Sequence, residues 1–268
     1  MTYSPGLVRT KLTIIVVAGL LGSLFLSGAE ASAGAYPVRD APVLTSNKLY
    51  KSGVLPRFSC KQGALSTENT KAAVKTLKAL WGCLNKGWGA YFGKAGLDFK
   101  PAKLTVITKG RRFCGDKWEK TQAASYCEEN STAAILADKY YLKVREIYHF
   151  QLAASLYGRH VQELTGIGDG FQTVDYSTRP ELNELYRRYS LQAYCLGGVF
   201  LGAVWKTAAR DAESWPALLD LMRINGDEGK KPGKEGRGKS IVRWLDRGYK
   251  SRNPRSCNTW TASSGLVA

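Results

Sequence analysis

Histidine is nearly absent: the 268 residues hold two, His149 and His160. On one helix they would stand roughly 16 Å apart along the axis, at 1.5 Å per residue, so a single ion cannot join them. A metal centre built on several imidazoles is thereby excluded. No two cysteines form a Cys-x-x-Cys pair, which removes a zinc ribbon and a thioredoxin-type redox site. Acidic residues are few, 22 against 39 Lys and Arg, for a net charge of +17. Such a charge bears on partners and solubility rather than on fold. Past the N-terminus no apolar run reaches the about 20 residues that span a bilayer. The stretch from Leu196 to Trp205 is too short and reads as a buried helix. No internal repeat is visible.

What is present begins with an export signature. Arg9 and Lys11 precede an apolar run from Leu12 to Leu26, and Ala31-Ser32-Ala33 offers small residues after it. Residues 1–33 read as a signal peptide cleaved after Ala33. The alternative is an uncleaved anchor, which would be the only membrane contact. Cleavage removes Arg9, Lys11 and Glu30, two positive charges and one negative, which leaves +16. Six cysteines follow: Cys60, Cys83, Cys114, Cys127, Cys195 and Cys257. An even number in an exported chain implies three disulfides and a secreted or envelope location. Spacing alone leaves fifteen pairings open. Outside the cytoplasm the polyanions on offer are envelope polymers and anionic lipid head groups; nucleic acid is not expected.

Residues 34–58, rich in Pro, Ser and Lys, read as a linker, and residues 59–268 as the domain proper. With 44% hydrophobic residues a real core can form. Val74, Leu77, Leu80, Trp81 and Leu84 recur at helical spacing, which predicts an amphipathic helix over 67–86 with a basic outer face. The β-branched run 104–108 predicts a strand, and 133–137 a second one. Tyr140, Val144, Ile147, Tyr148, Leu152 and Leu156 predict one helix over 139–164, ended by Thr165-Gly166. The glycine-rich stretch 166–170 predicts a loop. Further helices are expected from Pro180 to about Trp205 and over 214–223, with Pro216 in the first turn. The tract 230–255 holds ten Lys or Arg against Glu235 and Asp246. Its glycine-rich start, 229–238, predicts a mobile loop. Lys230, Lys231, Lys234, Arg237, Lys239 and Arg243 are its candidate polyanion-binding residues.

The segment 152–167 is arranged like the active-site helix of a zinc peptidase without its zinc chemistry. Such a helix needs His-Glu-x-x-His, because residues four apart share one face and can grip one ion. Those places hold Ser155, Leu156 and Arg159. Around them stand Tyr157-Gly158 and His160-Val161-Gln162. Elsewhere in the chain come Cys60, Cys83-Leu84 and Trp88; then Ala95-Gly96-Leu97 and Pro101; then Cys114-Gly115 and Tyr126-Cys127. Arg188, Leu191-Gln192-Ala193 and Cys195 follow, and Cys257-Asn258-Thr259-Trp260-Thr261 near the end.

In this order, over about 200 residues, these fragments resemble a bacterial neutral zinc metallopeptidase family. The resemblance implies an α+β, predominantly helical, zincin-like metallopeptidase fold with a small sheet. It also implies disulfides Cys60–Cys83, Cys114–Cys127 and Cys195–Cys257. In the family the helix reads His-Glu-Tyr-Gly-His-His-Val-Gln, and a second helix reads Glu-Leu-Gln-Ala-Asp-Cys and supplies the third ligand. Here Ser155 and Arg159 stand at two ligand positions and Leu156 at the general base. Ser190 replaces the third ligand, Tyr194 the Asp, and Arg237-Gly238-Lys239-Ser240 a usual His-Gly-Ser-Ser.

A catalytic zinc needs imidazole or carboxylate ligands and an open position for water. A serine hydroxyl is a poor ligand, and the fixed charge of Arg159 repels a dication. Zinc is expected of the family, yet its ligands are absent, so no cofactor is expected. A serine nucleophile fails too, because Ser155 has no histidine facing it on its own helix. The vestigial cleft, lined by Leu156, Arg159 and Tyr194, either stays open as a groove for a peptide or anionic polymer or has closed. Arg159 would pair with Glu163 or donate to Ser155 or Ser190. His160 would pack beside the old site, with a weak surface pair to Glu163 as an alternative. The reading is a catalytically inactive pseudopeptidase that binds or scaffolds at the cell envelope. The alternative is an active peptidase with non-standard ligands.

Overall fold

The structure is a computed structural model, and its described residues are 38–62, 65–143, 146–208, 211, 213–227 and 233–268. The expected signal peptide, together with Lys230 and Lys231, lies outside them.

The fold is mostly helical with one three-stranded sheet. A short helix α1 (Pro42–Thr45) and a 3-10 turn (Lys48–Lys51) come first. They correct the linker reading over 38–58, the part of 34–58 that is described. Val38, Leu44, Leu49, Tyr50 and Leu55 are buried in the main core. The apolar residues there follow no helical or strand period, yet their burial drives the packing.

The first long helix, α2 (Thr70–Ala95), begins with the Asn69 side chain accepting from the Ala72 amide and ends at Gly96 in the left-handed conformation. Ala73, Leu77, Leu80, Trp81, Leu84, Trp88, Tyr91 and Phe92 form its buried face. The sheet follows as β1 (Lys103–Ile107), β2 (Ala124–Cys127) and β3 (Thr132–Leu136), in spatial order β1-β3-β2. β1 runs parallel to β3, with Leu104 beside Ala133, and β2 runs antiparallel to it, with Tyr126 beside Ala133.

The helix expected over 139–164 arrives as two, α3 (Lys139–Leu142) and α4 (Glu146–Leu164). Gly166 takes a left-handed conformation, and α5 (Ile167–Thr173) stands where a loop was expected. Its glycines are tolerated because Ile167 and Phe171 are buried. Helix α6 (Arg179–Val204) opens with a capping box between Thr178 and Glu181. Then come α7 (Ser214–Arg223) and α8 (Gly238–Ser251).

Two glycines set the helix spacing. A Cβ on Gly158 of α4 would lie 2.5 Å from the Ala193 carbonyl of α6, and one on Gly248 of α8 would lie 2.0 Å from the Cys195 carbonyl. Backbones that close tolerate no side chain between them. The disulfides pair Cys60 with Cys83, Cys114 with Cys127 and Cys195 with Cys257, as the resemblance implied. Three disulfides accord with an oxidising compartment. Among the described residues no helix is long and apolar enough to cross a membrane.

The basic tract is more ordered than expected. Asp227 accepts from the amides of Glu235 and Gly236, and Arg187 donates to the Gly233 carbonyl. The part of 229–238 that is described, 233–238, is therefore held in place rather than being a free loop. Its two acids are structural. Asp246 accepts from Trp215 Nε1 at 3.0 Å and pairs with Lys250 at 2.6 Å; Glu235 enters the site described next.

Candidate functional site

The vestigial positions lie where α4 crosses α6. Gln162 of α4 donates to the Tyr189 carbonyl, Arg159 reaches Ser190, and Ser155 abuts Gly197, so the two helices run antiparallel. Leu156, Arg159, Ser190 and Tyr194 are exposed by only 2, 7, 5 and 6%. The expected groove lining faces the interior.

At one of the positions that the resemblance gives to a ligand stands Arg159. Its Nη2 donates to Ser190 Oγ at 2.9 Å, and its guanidinium lies 4.1 Å from the Tyr189 ring centroid. That is a cation held over an aromatic face. Of the partners expected for it, Ser190 is found; Ser155 and Glu163 are not. Ser155 instead accepts from Gln151 Nε2 at 2.8 Å and is fully buried. A Cβ on Gly197 would meet its Oγ at 2.6 Å, so helix backbone fills the space at this level. Leu156 belongs to the main hydrophobic core.

Glu235 is the residue that the sequence did not reveal. Burial raises its pKa, while the charge of Arg159 and the nearby Ser190 hydroxyl pull it back down. Its Oε2 and the Arg159 Nη1 are both buried without a hydrogen-bond partner among the described residues. A carboxylate and a guanidinium thus flank Ser190, the residue that the resemblance puts in the place of the third ligand. Burial holds the Tyr194 hydroxyl well above its usual pKa, and Glu235 adds to the rise. The only hint in the sequence was that Glu235 is one of two acids within a basic tract.

His160 is fully buried, which removes the surface pair with Glu163. The Tyr126 hydroxyl bonds Nδ1 at 2.8 Å, and Nε2 bonds the Lys100 carbonyl at 2.6 Å. A carbonyl only accepts, so Nε2 carries the proton and Nδ1 accepts from Tyr126. Burial lowers the pKa of this ring, consistent with a neutral tautomer. Both nitrogens are engaged, and neither is open to an ion. His149 is buried as well.

The zinc implied by the resemblance does not fit these residues. Two hydroxyls and a guanidinium are no zinc ligands, and the Glu235 carboxylate beside them is a single anionic donor where three ligands are needed. Among the described residues, three His, Cys, Asp or Glu donors come close enough to share an ion only at Cys114, Cys127 and Glu129. Both cysteines there are oxidised to a disulfide.

A second cluster adjoins the first through Tyr189. The Tyr189 hydroxyl donates to Glu163 at 2.9 Å and lies 3.4 Å from Glu128. Burial pushes the Glu163 carboxyl up to about 7, and Glu128 and then Asp169 add to the rise. Tyr189 and Arg159 oppose it.

The candidate polyanion residues divide. Lys239 and Arg243 are exposed on α8. Lys234 is partly buried, with Nζ 4.4 Å from the Tyr186 ring centroid, and the Arg237 amide bonds the Ala268 carbonyl.

Two relatives are similar over most of the chain. The uncharacterized protein YpfJ of Escherichia coli strain K12 is 26% identical over 215 residues, which cover 73% of this chain and 74% of that protein. Its counterpart in Escherichia coli O6:H1 is similar to the same extent. No family model and no solved structure matches the chain.

Proposed function

We propose that this chain is an exported pseudopeptidase: a zincin-like protein of neutral zinc metallopeptidase descent that binds or scaffolds at the cell envelope and hydrolyses nothing. The observation that carries the reading is the hydrogen bond between Arg159, at the second ligand position, and Ser190, at the third. A positive charge bonded into that spot excludes a dication electrostatically and occupies it sterically. Without a metal, water keeps its pKa near 15.7 and attacks amides feebly, and Leu156 can take no proton from it.

The buried lining argues for binding through the outer surface rather than through the old cleft. The three disulfides support export, and the charge of +17 supports an anionic envelope partner. Of the candidate polyanion residues that are described, Lys239 and Arg243 are the exposed ones.

Metal analysis and a peptidase assay test the reading together. Purified full chain, loaded with zinc and dialysed, is expected to retain far less than one equivalent and to leave peptide substrates intact. One tightly held equivalent with chelator-sensitive cleavage would refute it and establish the alternative, an active peptidase with other ligands.

A further inference from the structure

The partner surface with the strongest physical signature is on α2, remote in sequence from the basic tract. This helix carries five lysines and no acid in 26 residues. Lys71, Lys75, Lys78 and Lys86 are all exposed. At 100° per residue they fall within an arc of about 80°, and they extend about 22 Å along the axis. Lys94, also exposed, stands off this line at the last turn. None of the five has an ion-pair or hydrogen-bond partner among the described residues. Lysines four and three residues apart repel one another, and a helix ordinarily relieves that with an acid one turn away. Here no such relief exists within the fold.

The exposed positions between the lysines are Ala79, Gly82, Ala90 and Gly93. No bulky side chain rises between the ammonium groups, so an extended chain can lie along the track. The same fact argues against a membrane. A helix that lies in a lipid interface inserts Trp, Phe or Leu. The large exposed hydrophobics here are Val43, Val54, Tyr140, Tyr176 and Ile224, none of them on α2. No exposed aromatic on α2 is on offer to stack on bases either.

We infer that α2 is a docking track for a linear, phosphate-bearing polyanion, recognised by charge along a straight line. This deepens the binding reading above, on which it rests for the envelope setting. It uses a different surface from Lys239 and Arg243, and it makes no use of the zinc site. A protein found to be an active zinc peptidase could still bind through α2, so the two readings fail separately.

The test is a binding titration of the full chain with inorganic polyphosphate, repeated from low to moderate salt. Lys71, Lys75, Lys78 and Lys86 are changed together to Gln. The control changes Lys109, Arg111, Lys117 and Lys120, also exposed, to Gln. The track variant is expected to bind at least about tenfold more weakly. It is also expected to lower the slope of log K against log salt by about three, since each lysine that no longer neutralises a phosphate reduces the slope by roughly 0.7 to 0.9. The control is expected to keep most of both. Circular dichroism confirms folding of each variant.

A gain-of-function variant guards against loss by misfolding. A Cβ on Gly82 meets nothing within 4 Å, and this position sits mid-track. Gly82→Lys closes the gap between Lys78 and Lys86 and is expected to tighten binding about threefold, as neutralising one further phosphate would. Equal loss in track variant and control, or no loss in either, overturns the proposal. So does binding to vesicles of phosphatidylglycerol and phosphatidylcholine with none to polyphosphate, which would assign the charge to a lipid surface.

Discussion

Replacing Glu163 by Gln should change how stability depends on pH. In the fold its carboxyl titrates at about 7, against 4.5 for an ordinary glutamate. The main cause is burial, followed by repulsion from Glu128. Between those two values the folded protein holds a proton that the unfolded chain has released. Unfolding then gives up that proton, so stability rises as pH falls through this window and is lower above pH 7. At 1.36 kcal/mol per pH unit the interval corresponds to about 3 kcal/mol. Glu163 is only partly buried, so solvent screening reduces this to about 1–2 kcal/mol.

Gln keeps an oxygen that can accept from Tyr189, and it carries no charge to desolvate. The variant should be more stable than the parent at pH 8 by about 1–2 kcal/mol and equal to it near pH 4. Urea unfolding followed by tryptophan fluorescence, with disulfides intact, measures this from pH 4 to 8.5. Parallel curves for parent and variant would refute the reasoning, because they would mean that Glu163 has the same pKa in the folded and unfolded states.

Arg159 and Glu235 should be coupled. Arg159→Leu alone leaves a buried carboxylate without its counter-charge and should cost about 3 kcal/mol, while adding Glu235→Leu should return at least half of it. A double-mutant cycle of unfolding free energies reads the coupling, and simple additivity would show that the two do not interact. Gly248→Ala brings a methyl to 2.0 Å from the Cys195 carbonyl and should cost about 3 kcal/mol, with faster amide exchange in α8. Unchanged exchange would mean that α6 and α8 slide apart freely.

Where periodicity is long and strong, the residues alone place the element. The span expected from Pro180 to about Trp205 differs little from α6, and 214–223 agrees with α7. The second strand of the sheet escapes such reading because Ala124–Cys127 is four residues long and has no β-branched run. Helix α5 is hidden by glycine at Gly166, Gly168 and Gly170, whose poor propensity is overridden by burial of Ile167 and Phe171. The lead-in reads as a linker because Leu44, Leu49 and Tyr50 fall in no helical or strand period. They matter only once Gln192 reaches the Tyr50 hydroxyl at 2.7 Å.

The chain alone determined its chemistry by omission. Two histidines, with Ser155, Arg159 and Ser190 at the positions that the resemblance gives to the ligands, leave the zinc set of the resembled family incomplete. Cysteine number and order, read through the resemblance, likewise anticipated the three disulfides. Tertiary structure decided what occupies the emptied centre. Arg159 turned to Ser190 rather than to Glu163, and Glu235 came in from 45 residues beyond Ser190 to balance it. Sequence periodicity reports which face of a helix is apolar. It does not report which distant side chain satisfies a buried charge, because that depends on where the closed backbone brings Glu235.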